Sequence, residues 1–246
     1  METVISSTIK SIVTGDYRAA AIFEKYSLDF CCKGGVTIDQ ACSDKNIDAA
    51  PVYAELAQLA NTSQENTPHF SAWPIDELIY YIVNVHHKYV RESTPVIYAH
   101  TQKVAAVHGS NHAEVIEIAR HFETVAEELR SHMMKEEQML FPYIKSLVVA
   151  KRNGGKFVPP PFGTAQNPIR MMEAEHRAAG DELYEVRSLS NNYVPPEDAC
   201  TTYRVSYKEL QQFENDLHQH VHLENNILFP KAIALEQELI ASNVPV

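Results

Sequence analysis

No stretch of this chain approaches the roughly 18 consecutive apolar residues that mark a membrane-crossing helix. The opening residues, METVISSTIKSIVTGDY, lack the charged start and continuous apolar run of a signal peptide, so a cytoplasmic protein is expected. Basic surface is scarce: 21 Lys and Arg stand against 32 Asp and Glu, a net charge of −11. A phosphate-binding surface needs a basic patch and none is visible, so nucleic acid is not an expected partner, nor is a membrane. Cysteine is sparse as well. Four in 246 residues, two of them adjacent, do not make a disulfide framework. Almost nothing reads as a strand. Histidine is what the chain has in excess, with twelve, concentrated after residue 85.

Two segments repeat one another. Residues 132–142 read HMMKEEQMLFP and residues 220–230 read HVHLENNILFP. Both carry His at the first position, Glu at the fifth, and Leu-Phe-Pro at the end. On a helix, residues i and i+4 share a face, about 6 Å apart along the axis, so each copy presents an imidazole and a carboxylate to one point. Two such helices face to face supply half-shells for a pair of metal ions. The alignment selects His132 with Glu136 and His220 with Glu224; Glu137 matches only Asn225. His218 and His222 form a separate i,i+4 pair that could bind an adventitious cation but is expected to face solvent. Leu and Phe of the shared ending read as core, and Pro142 and Pro230 are expected to kink or end their helices.

The chain divides by composition. Residues 1–60 read as a small helical unit, with helix starts at Ser7 or Thr8, Asp16, Thr37 and Asp48, and Pro51 in the first turn of the last. The polar segment 61–73 reads as a linker. Residues 74–246 carry four long helical stretches. The first starts at Pro74 and continues to about Val107 with a kink at Pro95; the second covers about Asn111 to Val149. After a Gly- and Pro-rich loop at 151–167, the third starts near Pro168, and the fourth spans about Glu197 to Ile240. Four long helices with breaks between them make an all-α helix bundle.

Two further ligands are expected from the other two helices. His176 lies on the stripe Ile169, Met172, His176, Leu183. On the first helix, periodicity admits either His86 or His87. Taking His87, the intervals to His132, His176 and His220 are 45, 44 and 44 residues, which lets an up-down bundle bring the rings to one height. A lone His on an apolar face is more often a core residue, but buried carboxylates are costly unless paired or metal-bound. A shell of imidazoles and carboxylates suits iron, manganese or zinc better than calcium or magnesium. Cys31 and Cys32 sit one peptide apart, about 3.8 Å between Cα atoms, too close for an unstrained bridge. They are either small apolar side chains in a tight turn before Gly34 and Gly35 or a soft thiolate pair. Cys42 and Cys200 read as buried.

The segments FCCKGG (30–35), SHMMKEEQMLFP (131–142), EAEH (173–176), ACTTY (199–203) and LENNILFP (223–230) together resemble the repair-of-iron-centres family, the ScdA/YtfE-like proteins, over essentially the whole chain. The resemblance implies a short N-terminal helical Cys-Cys domain and a hemerythrin-like up-down four-helix bundle. It implies two non-heme iron ions, with or without an oxo or hydroxo bridge. Their ligands become His87, His132, His176 and His220, with Glu136 and Glu224 as bridging carboxylates. Arg91 and Glu92 follow His87 at the family's offsets, which favours His87 over His86 as the ligand and leaves His86 as a supporting or packing residue. Glu128 and Glu175 are implied as carboxylates lining a route to the metals, and Cys31 and Cys32 as redox or iron-transfer thiols. The implied function is repair of iron–sulfur clusters damaged by nitric oxide or oxidants, through iron donation, NO handling or both. Damaged iron–sulfur proteins, NO, O2 and peroxide are the implied partners, and a homodimer is considered. The alternatives are a hemerythrin-type O2 or NO carrier or sensor, an NO reductase, and a purely structural bundle. Carriers of that type usually hold five histidines, and this chain offers four.

Overall fold

The computed structural model describes residues 6–60, 68–154 and 158–242. Counting each continuous rod once, these residues form eight helices and no strand, apart from an isolated antiparallel bridge between Thr8 and Thr37. The first four helices are short: α1 (Ile9–Gly15), α2 (Ala19–Lys25), α3 (Ile38–Asp44) and α4 (Ala49–Ala60). Their starts follow from local chemistry. The Thr8 hydroxyl accepts from the Ser11 N–H, Thr37 from Gln40, and the Asp48 carboxylate from Ala50, each satisfying a donor that the first turn leaves open. Of the segment read as a linker, 61–67 lie outside the described residues. The remainder is packed rather than free: Phe70–Ala72 form a 3-10 turn, and buried Phe70 stacks edge-on against Trp73 at 4.8 Å.

Four long rods follow. Helix α5 joins Ile75–Tyr81, a π segment Ile82–His87 and Lys88–His108. Helix α6 joins Glu114–Lys135, a π segment Glu136–Leu140 and Phe141–Asn153. Helix α7 is Gln166–Leu189, and α8 joins Thr201–Leu223, a π segment Glu224–Leu228 and Phe229–Ser242. Neither Pro142 nor Pro230 ends its helix, contrary to one of the two outcomes expected from sequence. In both copies the turn before the proline widens: the Phe141 N–H bonds to the Glu136 carbonyl and the Phe229 N–H to the Glu224 carbonyl, five residues back. Proline has no N–H to give to the carbonyl four residues back, and its ring crowds that carbonyl. One wide turn absorbs the mismatch, and π turns of this kind frequently mark functional sites. Helix α5 likewise runs through Pro95 without a break in its helical residues. Gly154 closes α6 in the left-handed region at φ 59°, where lack of a Cβ removes the steric cost.

Packing gives the bundle its topology. Two apolar clusters lie on either side of a polar layer. One contains Val90, Phe122, Leu129, Leu183, Phe213 and Leu217; the other contains Leu78, Ile79, Phe141, Ile169, Met172 and Phe229. Along α5 and α7 the second cluster comes first in sequence, along α6 and α8 it comes last, so the rods alternate up and down. The N-terminal helices belong to the first cluster through Ile9, Phe23, Phe30 and Ile38, so they share a continuous core with one half of the bundle.

The Cys31–Cys32 loop is held by a close backbone approach. A Cβ added to Gly34 would lie 2.5 Å from the Phe30 carbonyl oxygen, whereas one added to Gly35 meets nothing within 4 Å. Gly34→Ala is therefore expected to destabilise the protein by about 1–3 kcal/mol. Gly35→Ala should stay within about 0.5 kcal/mol. Denaturant unfolding followed by circular dichroism measures both; equal effects would contradict this account of the loop.

Candidate metal centre

All four rods send polar side chains into the layer between the clusters. His87 stands at the end of the α5 π segment, and His176 projects from the middle of α7. His132 and Glu136, and His220 and Glu224, flank the junctions where α6 and α8 enter their π turns. Each of the six is at most 2% exposed. They form two quartets, His87–Glu136–His220–Glu224 and His132–Glu136–His176–Glu224, in each of which the candidate donor atoms lie within 4.8 Å of one another. Both carboxylates belong to both quartets.

Ring nitrogens and carboxylate oxygens converge closely. The Nε2 atoms of His87 and His220 are 3.1 Å apart, and those of His132 and His176 are 2.9 Å apart. Glu224 sends Oε1 to 3.1 Å from His220 Nε2 and Oε2 to 3.1 Å from His176 Nε2. Glu136 Oε2 lies 3.3 Å from His132 Nε2 and 3.4 Å from His87 Nε2. Yet neither oxygen of Glu136, nor Oε2 of Glu224, is in hydrogen-bond geometry. These oxygens are near in distance and wrong in angle for ring N–H donors.

For three of the four rings the outer side explains the inner side; the fourth, His220, has its Nδ1 buried without a hydrogen-bond partner. His87 Nδ1 donates to Glu137 Oε1 at 2.7 Å, and Arg91 donates to that same oxygen at 2.8 Å. His132 Nδ1 donates to Glu175 Oε2 at 2.9 Å, and Lys135 pairs with the other oxygen of Glu175. His176 Nδ1 meets Asn225 Oδ1 at 2.9 Å. A carboxylate can only accept, so it holds the ring proton on Nδ1 and leaves the Nε2 lone pair pointing inward. Lone pairs facing each other near 3 Å, beside two buried carboxylates, call for positive charge at their focus. In the protein alone, protons supply it. Burial lowers His87 and His132, but the Glu136 and Glu224 carboxylates outweigh it and hold both at about 10, with Glu175 adding to the effect on His132. Burial and Glu224 push Glu136 up, yet His132 and His87 bring it below the usual carboxylate range. The hydrogen bond from His132, with Lys135 behind it, holds Glu175 at about 2. Divalent cations satisfy the same demand, and this donor set fits a pair of first-row transition ions.

The other residues singled out in the sequence divide. Cys31 and Cys32 are free thiols with their sulfurs 3.8 Å apart. Asp29 Oδ1 accepts the backbone N–H groups of both, at 2.9 and 2.8 Å. Cys32 and burial push the Cys31 thiol well up. Both line a cleft of about 530 Å³ that also reaches His176. Glu175 grips a ring from outside. Glu128 is exposed and belongs to neither quartet; partial desolvation and the nearby Glu182 and Glu175 raise its carboxyl. His86 lies parallel to His220 at 5.6 Å, with its Nδ1 on Asp216 at 3.0 Å. The expectation that His218 and His222 face solvent is corrected: His222 is buried, and both rings pack against Phe30, at 5.9 and 5.8 Å. The docked N-terminal helices cover the face that periodicity had left outside. Cys200 is also corrected, being exposed at the start of α8 beside His108. Sequence reasoning set Glu137 and Asn225 aside because they do not match each other. Their shared place in the repeat, one residue after each Glu, was the signal that both hold a ring.

An up-down bundle with two imidazole–carboxylate quartets across its middle defines the hemerythrin-like class of metal-binding proteins. The chain belongs to the hemerythrin HHE cation-binding domain family, which matches residues 78–232, and its residues 5–60 match ScdA_N, a domain of unknown function (DUF542). Its cofactor is accordingly a non-heme pair of iron ions. Among curated proteins, the iron-sulfur cluster repair protein YtfE of Citrobacter koseri is 37% identical over 219 residues, covering 89% of this chain and 93% of its own. The proteins of that name from Escherichia coli and Escherichia fergusonii show the same identity and coverage.

The ring-holding carboxylates generate a prediction. Glu137→Ala and Glu175→Ala each leave both quartets intact but should weaken iron binding about 10–100-fold. Competition with a chelator under anaerobic conditions reads the affinity; wild-type values for both variants would contradict a supporting role.

Proposed function

We propose that this protein repairs iron–sulfur clusters damaged by nitric oxide or oxidants, in the cytoplasm, with damaged iron–sulfur proteins as its partners. In this reading His87, His132, His176 and His220 would hold two irons together with Glu136 and Glu224, the carboxylates common to both quartets. The observation that carries it is the sharing of both buried carboxylates by two imidazole pairs. Similarity over nine-tenths of the chain to proteins named for iron–sulfur cluster repair supports the function.

When bound, the iron pair supplies open coordination positions for NO, O2 or peroxide. The chain's own residues do the rest. Glu137, Glu175 and Asn225 keep protons on the outer ring nitrogens, so the inner ones stay available. The two apolar clusters exclude water from both ends of the layer. The cleft that joins His176 to Cys31 and Cys32 is a route for iron as cargo, with the thiols and the Asp29 carboxylate as its outer donors. A mixed imidazole and carboxylate shell binds Fe(II) only moderately compared with later divalent metals, which suits release. A hemerythrin-type carrier fits less well: His86 is engaged by Asp216 and belongs to neither quartet.

The test incubates protein loaded with isotopically labelled iron with an enzyme whose cluster NO has destroyed. The expected result is return of enzyme activity together with label in its cluster. His132→Ala, lacking a ring from one quartet, should restore less than about a tenth of the wild-type rate. Activity without label would sink iron donation. Sustained N2O production from added NO would favour the reductase reading.

A further inference from the structure

Two asparagines of the second repeat reach in two directions at once. Asn225 accepts from the His176 ring through Oδ1 at 2.9 Å, and its Nδ2 donates to the Cys31 carbonyl at 3.4 Å, the long end of hydrogen bonding. Asn226 Nδ2 donates to the Phe30 carbonyl at 3.3 Å and to His222 Nδ1 at 3.0 Å. The same loop is fastened by the Phe30 ring against His218 and His222 and by Lys33 to Asp181 at 2.9 Å. Among the described residues, Asn225 is the side chain that bonds both to the cysteine loop and to the His176 imidazole.

The chemistry of the relay is directional. A backbone carbonyl can only accept, so the amide must turn its NH2 toward Cys31 and its oxygen toward His176. That oxygen can only accept, so His176 carries its proton on Nδ1 and offers a bare Nε2 to the quartet. The opposite amide orientation would set two oxygens together and require the ring proton on Nε2, where it blocks the inner position. The first repeat has Glu137 at the matching place. Glu137 also fixes its ring, but a carboxylate has no N–H to give to a carbonyl; it pairs with Arg91 instead. The Glu-to-Asn difference between the copies is therefore what a second, donating task demands.

We propose that Asn225 is a positioning residue that couples the Cys31–Cys32 loop to His176, so that the state of the thiols and the hold on the His132–His176 ion vary together. The inference rests on reading the quartets as iron sites. A thiophilic occupant of the loop that shifts the Cys31 carbonyl releases the amide and loosens the ring. By reciprocity, an ion held by His176 steadies the loop.

The test uses the full chain, metal-free and loaded anaerobically with ferrous iron. Iodoacetamide labelling of Cys32 is followed by mass spectrometry, with exposed Cys200 at the far end of α8 as internal reference. In the wild type, iron should slow labelling of Cys32 about fivefold or more, with Cys200 unchanged. Asn225→Asp keeps an acceptor for His176 but cannot donate to Cys31. It should still take up iron, while the effect of iron on labelling falls below about twofold. Chelator-driven iron release should be faster from labelled than from unlabelled wild type, and indifferent to labelling in Asn225→Asp. If that variant does not fold, Asn225→Ser, too short for either partner, should lose the coupling and bind iron about tenfold more weakly. Wild-type coupling in the variants, or no coupling in the wild type, would overturn the proposal. Iron content measured on the same samples separates this from failure of the centre: a wild type that binds no iron sinks both.

Discussion

The buried layer of two carboxylates and four imidazoles governs the rest of the structure. Isolated, either carboxylate would be too costly to bury. Together, and with a ring on each side, they create a focus for positive charge that four separate helices must meet. The layer divides the bundle into two apolar halves, sets which face of each rod turns inward, and places the π turns of α5, α6 and α8 beside it. Charge balance at one point thus selects the arrangement, while the apolar clusters above and below supply the burial that sustains it.

Much of this was legible in the sequence, for definite reasons. The His-x3-Glu repeat is visible because i and i+4 necessarily share a helical face, and its duplication discriminates Glu136 from Glu137. His176 was legible from its apolar stripe. Periodicity alone did not choose between His86 and His87, because a π turn there shifts the faces by a residue; the Arg91 and Glu92 offsets of the family resemblance favoured His87. The outer holders escaped notice for another reason. Matching by identity finds residues that do the same thing with the same group, whereas Glu137 and Asn225 hold equivalent rings with different chemistry. His218 and His222 were misplaced because their cover comes from residues almost two hundred positions earlier, a contact no local pattern encodes.

The small N-terminal unit is therefore better understood as a cap than as an appendage. Its apolar residues complete one half of the bundle core, and its cysteine loop sits over the α7–α8 side, where the cleft opens. Asp29 accepts both backbone N–H groups of the adjacent cysteines, and the close approach of Gly34 to the Phe30 carbonyl tightens the turn that carries them. The cysteine loop and His176 line the same cleft, so the bundle site and the cap meet there.

The wide turns have one more effect. Each inserts a residue into the helical count, so every side chain beyond it is set back by about 100° around its axis relative to an unbroken α-helix. A helical wheel drawn through Glu136–Leu140 or Glu224–Leu228 would assign the wrong residues to the interior on one side. On α5, α6 and α8 the polar layer is in this sense a joint between two angular phases, while α7 runs through it without one.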